Sequence, residues 1–281
     1  MSVVFLNGEF VDEKEAQMSI NDTGYYFGDG IYEVVLLYNG KLIDKDLHLN
    51  RLQECFKKVY FKNVPTKEWV LEKINQLIEK NNNIKTCSIY MQFSRGITTR
   101  DNHFSHLNLR PSCLIKMIPC EIYEKPKAWN CNLIDDPRRF RCDIKMISLM
   151  PMVLAKYESE KEGYDDVIFF NKNINSITEG SSFNVFIVDK DNKIITCPLG
   201  NHILPGCTRA RCIDIFKNNN YEVIERFYSK EELFNAKEVF ITGSIKLIVG
   251  IPYINKNKIG NGEVGTTTKW IYQQFINFLN K

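Results

Sequence analysis

The chain has 281 residues, 44% of them hydrophobic and 25% charged, so it can bury a substantial core and is not a disordered segment. It exceeds a typical single domain, so one large or two modest domains sharing a cleft are expected, and two is the reading adopted here. Lys plus Arg number 37 against 34 Asp plus Glu, a net charge of +3 spread along the chain, which leaves no electrostatic footprint for nucleic acid or an anionic membrane.

The one basic cluster, Pro137-Arg138-Arg139-Phe140-Arg141, reads as a solvated turn rather than a polyanion site. Nine cysteines form an odd set with no Cys-x-x-Cys pair and no signal peptide ahead of them, which points to reduced thiols in a cytoplasmic protein. The four histidines, His48, His103, His106 and His202, show no metal-ligand spacing, so no metal is expected. Apolar runs fall well short of the roughly twenty residues that span a bilayer, so no membrane partner is expected either.

Residues 3–12 read as two strands around Asn7-Gly8, and Asn39-Gly40 repeats the pattern between strands 33–38 and 41–44, because Asn-Gly suits the left-handed dihedrals of tight hairpins. Over 46–60 the apolar Leu49, Leu52, Phe56 and Val59 recur at three and four, and Trp69, Ile74, Leu77 and Ile78 do so less regularly after Pro65, predicting two helices. Strict alternation returns at Cys87, Ile89, Met91 and Phe93, and 113–118 is another strand candidate. The polar, proline-bearing stretch 121–127 marks the expected boundary between a small α+β domain over 1–120 and a second domain over 121–281. The second half reads as strand 130–134, helix 152–161, strands 166–170, 184–189 and 193–197, helix 208–217, strands 222–227 and 238–242, and a terminal helix over 267–279. No regular strand-helix-strand repeat runs through it, so α+β is favoured over a doubly wound sheet.

Lys145 precedes the apolar run Met146-Ile147-Ser148-Leu149-Met150. Partial burial disfavours an ammonium and yields the neutral amine that adds to an aldehyde, although a lysine beside apolar residues also commonly snorkels to water. Thr178-Glu179-Gly180-Ser181-Ser182 places a carboxylate beside a small, hydroxyl-rich turn leading into a strand; it fits both ordinary turn chemistry and the partner of a protonated ring nitrogen. Leu204-Pro205-Gly206-Cys207-Thr208 opens a helix, where backbone N–H groups and the dipole favour an anion; a plain Thr-capped start is the alternative. Thr242-Gly243-Ser244 ends a strand with similar chemistry. The aromatic and glycine cluster from Gly24 to Glu33 can simply pack a turn.

Taken in order, Phe27-Gly28-Asp29-Gly30, the Arg51 helix, Lys145, Thr178-Glu179-Gly180, the Gly206–Thr208 helix start and the Thr242–Ser244 turn resemble the fold-type IV class of pyridoxal 5′-phosphate-dependent transaminases over essentially the whole chain. That class includes D-amino-acid and branched-chain aminotransferases and aminodeoxychorismate lyases. Within it, Tyr32-Glu33-Val34-Val35, Arg95-Gly96 leading to Arg100, and Arg141-Cys142-Asp143-Ile144-Lys145 are similar to the D-amino-acid branch. The resemblance implies a two-domain α+β enzyme with the cofactor in the cleft, Lys145 as Schiff-base lysine and proton shuttle, and Glu179 on the pyridine nitrogen. It further implies that Arg51, Cys207, Thr208 and Ser244 bind phosphate, that Leu204 packs on the ring face, and that Tyr32 and Arg100 hold the substrate carboxylate. Arg100 would come from the neighbouring subunit of a homodimer with a shared active site. Substrates would be a D-amino acid and a 2-oxo acid; a branched-chain enzyme, a lyase or a non-catalytic binder of the cofactor on the same fold are the alternatives. One position departs from the pattern: the D-amino-acid enzymes place a histidine two residues after that arginine, and this chain has Asn102. His103 follows it, but adjacent side chains of an extended segment point to opposite faces, so Asn102 with its neutral hydrogen bond takes that place.

Overall fold

The computed structural model describes residues 2–100, 108–138 and 140–281. The chain divides into two compact units, Met1–Glu121 with Ile144–Ser148, and Ile122–Asp143 with Leu149–Lys281. The first crossing lies beside the break expected at 120/121. The short segment that carries Lys145, which the sequence places in the second domain, packs instead with the first unit. The physical reason is local: Ile144 is buried in the first unit's apolar cluster, and Met146 packs against the same cluster.

The first unit runs β1 (Val3–Leu6), β2 (Glu9–Asp12), α1 (Thr23–Phe27), β3 (Gly30–Tyr38), β4 (Lys41–Leu42), α2 (Lys45–Lys58), α3 (Lys67–Lys80), β5 (Cys87–Ser94) and β6 (Ser112–Pro119). Its six strands form one antiparallel sheet in the order β2-β1-β6-β5-β3-β4. Both expected hairpins form, and Asn7, Gly8, Asn39 and Gly40 all take positive φ, the backbone that a two-residue turn needs. Alternation along β5 sends Ile89, Met91 and Phe93 into a cluster with Leu52, Phe56 and Ile74 of the helices. Each such side chain stabilises the fold by about 1.5–3 kcal/mol when fully buried. Tyr90 and Gln92, the intervening residues, share the other face with Tyr32, which lies directly opposite Gln92.

The second unit runs β7 (Ala128–Asp135), α4 (Met150–Lys161), β8 (Asp166–Asn171), β9 (Ser176–Gly180), β10 (Asn184–Val188), β11 (Ile194–Thr196), α5 (Cys207–Asn218), β12 (Val223–Glu225), α6 (Lys230–Phe234), β13 (Glu238–Gly243), β14 (Leu247–Ile254), β15 (Asn257–Lys258) and α7 (Thr266–Leu279). Pairing passes from β10 through β13, β14, β7, β8 and β9 and returns to β10 at Asn184↔Glu179, so six strands close into a ring without a free edge. β7 is parallel to both β8 and β14, whereas β10 is antiparallel to β13. α4 covers β8, and α5 and α7 cover β13. Strands β8, β9 and β10 are therefore buried along nearly their whole length.

Three of these strands, β9, β14 and the two-residue β15, are absent from the sequence reading. Residues 176–180 are not a turn but β9, held on one side by β8 and closed by β10 on the other. β14 contains Gly250 and Pro252, and the register slips between Gly250 and Tyr253, the irregularity that lets proline sit in a strand. Among the described residues no helix is long and apolar enough to cross a membrane.

Candidate active site

In the first unit, residues 144–148 lie along β3: the Tyr32 N–H donates to the Lys145 carbonyl at 2.9 Å, and the Ile147 N–H donates to the Gly30 carbonyl at 3.0 Å. The Lys145 N–H is held by Cys55 Sγ at 3.4 Å. These backbone bonds fix a half-buried side chain whose Nζ stands 4.1 Å from the centre of the Tyr32 ring. The Tyr32 ring is tilted against that of Tyr90 at 5.8 Å, and the Tyr90 hydroxyl donates to Gln92 Oε1 at 2.7 Å. Burial, with the Tyr32 phenol beside it, pushes the Tyr90 phenol up to about 12, so it remains a donor at neutral pH. An amine next to a phenol and a carboxamide can take up and return a proton and can bind a carboxylate.

Arg51 lies on the opposite, helix-covered face of the same strand. Glu33, next to Tyr32 and so pointing the other way, is fully buried and receives Arg51 through both arms, Nε to Oε2 at 2.8 Å and Nη2 to Oε1 at 2.6 Å. His48 Nδ1 lies 2.9 Å from the same Oε1. Burial alone would raise the Glu33 carboxyl; the charge and hydrogen bonds of Arg51 and His48 outweigh it and hold the carboxyl well below the usual range. The expected phosphate-binding arginine is thus oriented by a buried carboxylate that sequence reasoning did not single out. The available signal was a glutamate at an inward strand position between Ile31 and Val35, where a carboxylate needs a cation.

Arg100 is exposed, with its guanidinium 5.5 Å from the centre of the Phe27 ring, and Asn102 lies outside the described residues. The glycine and aromatic cluster before β3 is α1, capped at its start by Asp22, which accepts the Gly24 N–H at 2.8 Å, and ended by Gly28 at φ 62°.

In the second unit, Glu179 is buried on β9. Its Oε2 accepts the Leu204 N–H at 3.0 Å and Asn184 Nδ2 at 3.1 Å, and its Oε1 accepts Arg138 Nη1. Among the described residues three donors occupy three of the four lone-pair directions of the carboxylate, so one acceptor direction on Oε1 remains. Burial pushes Glu179 up and Arg138 partly offsets it. Arg138 also grips Asp136 at 2.9 and 2.7 Å, Thr178 Oγ1 at 3.2 Å and the His202 carbonyl at 3.2 Å, with 7% of its side chain exposed. It is therefore no part of a solvated turn: its charge serves buried carboxylates that lie side by side only in the folded chain.

Glu179, Asn184 and Thr242 stand directly opposite one another across β9, β10 and β13 and so project to one face. Asn184 also bonds the Leu204 carbonyl, and it lies so close to Gly206 that a Cβ there would be 2.1 Å from Asn184 Oδ1. Gly206, rather than Thr208, is the N-cap of α5; Cys207 and Thr208 form its buried first turn, in which no side-chain cap and no acidic residue competes with an anion. The Thr242 hydroxyl is buried with no partner among the described residues, a state that costs about 1–3 kcal/mol unless something bonds it. Ser244 follows, half-buried, in the turn after β13. An orphaned hydroxyl, a helix start with no acidic residue in its first turn and one open carboxylate direction fit a ligand with an anionic end and a ring N–H.

The sequence model of the family Amino-transferase class IV matches residues 30–254. The chain is 32% identical over 284 residues to a D-alanine aminotransferase of Staphylococcus haemolyticus, covering 99% of this chain and 98% of that one. It is 31% identical over 271 residues to a D-alanine aminotransferase of Bacillus licheniformis, covering 96% and 94%. Among solved structures it is similar to a branched-chain aminotransferase of Thermoproteus uzoniensis (TM-score 0.89, 24% identity) and to one of Escherichia coli (TM-score 0.90, 23% identity), each over 99% of this chain and 94% of the other. At those identities the structures speak for the fold.

Proposed function

The chain belongs to amino-transferase class IV, and we propose that within it this protein moves the amino group of a D-amino acid, of the D-alanine or D-glutamate type, to a 2-oxo acid by a ping-pong route with pyridoxal 5′-phosphate as cofactor. The 32% and 31% identity with D-alanine aminotransferases over nearly the whole chain carries the reading. When bound, the cofactor supplies an aldehyde that captures the amino group and a ring that accepts electrons.

The chain's own residues do the rest. Lys145 holds the cofactor and, once displaced by the substrate amine, takes the α-proton and returns it. Glu179, held in place by Arg138, offers its open Oε1 direction to the ring nitrogen. Leu204, whose N–H anchors Glu179, packs against the ring. Cys207 and Thr208 at the start of α5, with Ser244 and Arg51, bind the phosphate. Tyr32, Arg100 and Asn102 bind the substrate carboxylate. An odd set of nine cysteines without a Cys-x-x-Cys pair supports a reducing, cytoplasmic setting.

The test is the half-reaction. Purified protein with pyridoxal phosphate is expected to be yellow and to bleach with D-alanine and D-glutamate but not with L-leucine. Bleaching by L-leucine alone would move it to the branched-chain branch.

The working form is a homodimer that shares its active site. Supporting this, Met150, Val153, Leu154 and Tyr157 recur at three and four along α4 and are each at least half exposed, an apolar stripe of the kind that marks an interface. Sedimentation should find a dimer that Leu154→Lys weakens toward monomer; a wild-type monomer at micromolar concentration would remove this part of the reading.

A further inference from the structure

A second polar cluster of the second unit surrounds Asp166, at the start of β8. Asp166 is fully buried. Its Oδ1 accepts the Ser181 hydroxyl at 2.5 Å and the Val167 N–H at 2.9 Å, while two lysines reach Oδ2, Lys246 at 3.1 Å and Lys156 at 3.3 Å. Lys246 also donates to the Ser182 hydroxyl at 3.1 Å, and its Nζ stands 4.6 Å from the Trp129 ring centre and 5.1 Å from that of Phe183. Only 26% of its side chain is exposed, and burial lowers its affinity for a proton against the opposing pull of Asp166.

Holding a half-buried ammonium there costs desolvation, which Asp166 offsets together with Lys156, itself shared with Glu160 at 3.5 Å. What distinguishes Lys246 is connectivity. It lies in the turn between β13 and β14, two residues after Ser244, whereas Ser181 and Ser182 form the turn between β9 and β10, two residues after Glu179. A Cβ at Gly243 would be 3.5 Å from the Ser182 carbonyl oxygen, so the two turns touch. Through Asp166 and Ser182, Lys246 fastens both turns to β8.

We propose that Lys246 is a positioning residue for cofactor phosphate, clamping the Ser181–Ser182 turn and the Ser244 turn in the arrangement in which Thr242 and Ser244 present their hydroxyls to the phosphate. The clamp rests on the cofactor reading above. Its test uses pyridoxamine 5′-phosphate, which has no aldehyde and so binds without a bond to Lys145. Lys246→Met keeps an unbranched apolar stem against Trp129 and Phe183 and leaves Lys156 on Asp166. It is expected to weaken pyridoxamine phosphate about tenfold, the loss of one or two charge-assisted hydrogen bonds. The melting temperature of the unloaded protein should stay near wild type.

Competition by inorganic phosphate should weaken in parallel, Lys246→Arg should recover most of the affinity, and Lys156→Met should leave it unchanged. An unaltered dissociation constant in Lys246→Met overturns the clamp, as does weakened pyridoxamine phosphate with undiminished competition by inorganic phosphate. If Lys246→Met does not fold, Ser182→Ala cuts only the link to that turn and is expected to weaken binding severalfold; no change there overturns the clamp equally. A wild-type protein that binds no pyridoxamine phosphate would bring down the cofactor reading itself, and the clamp with it.

Discussion

Lys145→Ala is expected to abolish transamination, by about ten-thousandfold or more, while the protein stays folded, because in the proposed function one side chain both holds the cofactor and carries the proton. The structure separates those tasks from stability. The bonds that tie this segment to β3 and Cys55 come from the backbone of residues 145 and 147, and alanine keeps all of them. The side chain contributes a contact over Tyr32, worth about 0.5–1 kcal/mol at a site open to water. Stopped-flow absorbance with D-alanine reads the first effect and a thermal melt the second. A small external amine such as methylamine should restore part of the rate, since alanine leaves space where the amine was. Undiminished turnover in the variant would sink the assignment of Lys145, and collapse of the melt would show that the lysine is structural.

How far the sequence exposes this site depends on whether each residue's partner is near it in the chain. The Asn-Gly hairpins, the alternation of β5 and the three-and-four spacing of α2 are local, and each forms within a few residues of its expected place. The apolar run after Lys145 is a local signal, but the bridge from Met146 to Ile31, which draws the segment to the first unit, joins residues far apart in sequence. Thr, Gly and Ser around Glu179 favour a turn; β8 and β10 supply the pairing that overrides that preference. Arg138 looked like one of a run of solvated charges, and only the fold brings it within reach of a carboxylate 41 residues away. Its neighbour in the run, Phe140, is indeed exposed. Glu33, His48 and Arg51 make the same point in the first unit, where a buried carboxylate and two basic residues come from different elements. Sequence motifs name the residues proposed to touch a ligand, while the groups that hold those residues in place come from pairings the motifs do not contain.

Glu179→Gln should slow proton transfer on the order of a hundredfold or more while leaving cofactor occupancy high at saturating pyridoxal phosphate. The carboxylate accepts from Arg138, Leu204 and Asn184 at once. A carboxamide has one acceptor oxygen, so whichever way it turns, its NH₂ faces a donor, and it offers the ring nitrogen no charge to stabilise a pyridinium. The fold should survive, because Arg138 keeps Asp136, Thr178 and the His202 carbonyl. The pH dependence has a definite sign. Burial raises the Glu179 carboxyl in the unloaded protein, so the folded state binds that proton more tightly than the unfolded chain does. Its contribution to stability is present in acid and lost as pH rises through the carboxylate range and above it. The lead of wild type over Glu179→Gln in a thermal melt should therefore shrink from acid toward neutral pH; a lead that grows would mean that Arg138, rather than burial, governs the carboxyl. A wild-type rate in the variant would remove Glu179 from the chemistry altogether and leave Asn184 and the start of α5 as the parts of this face that matter for binding.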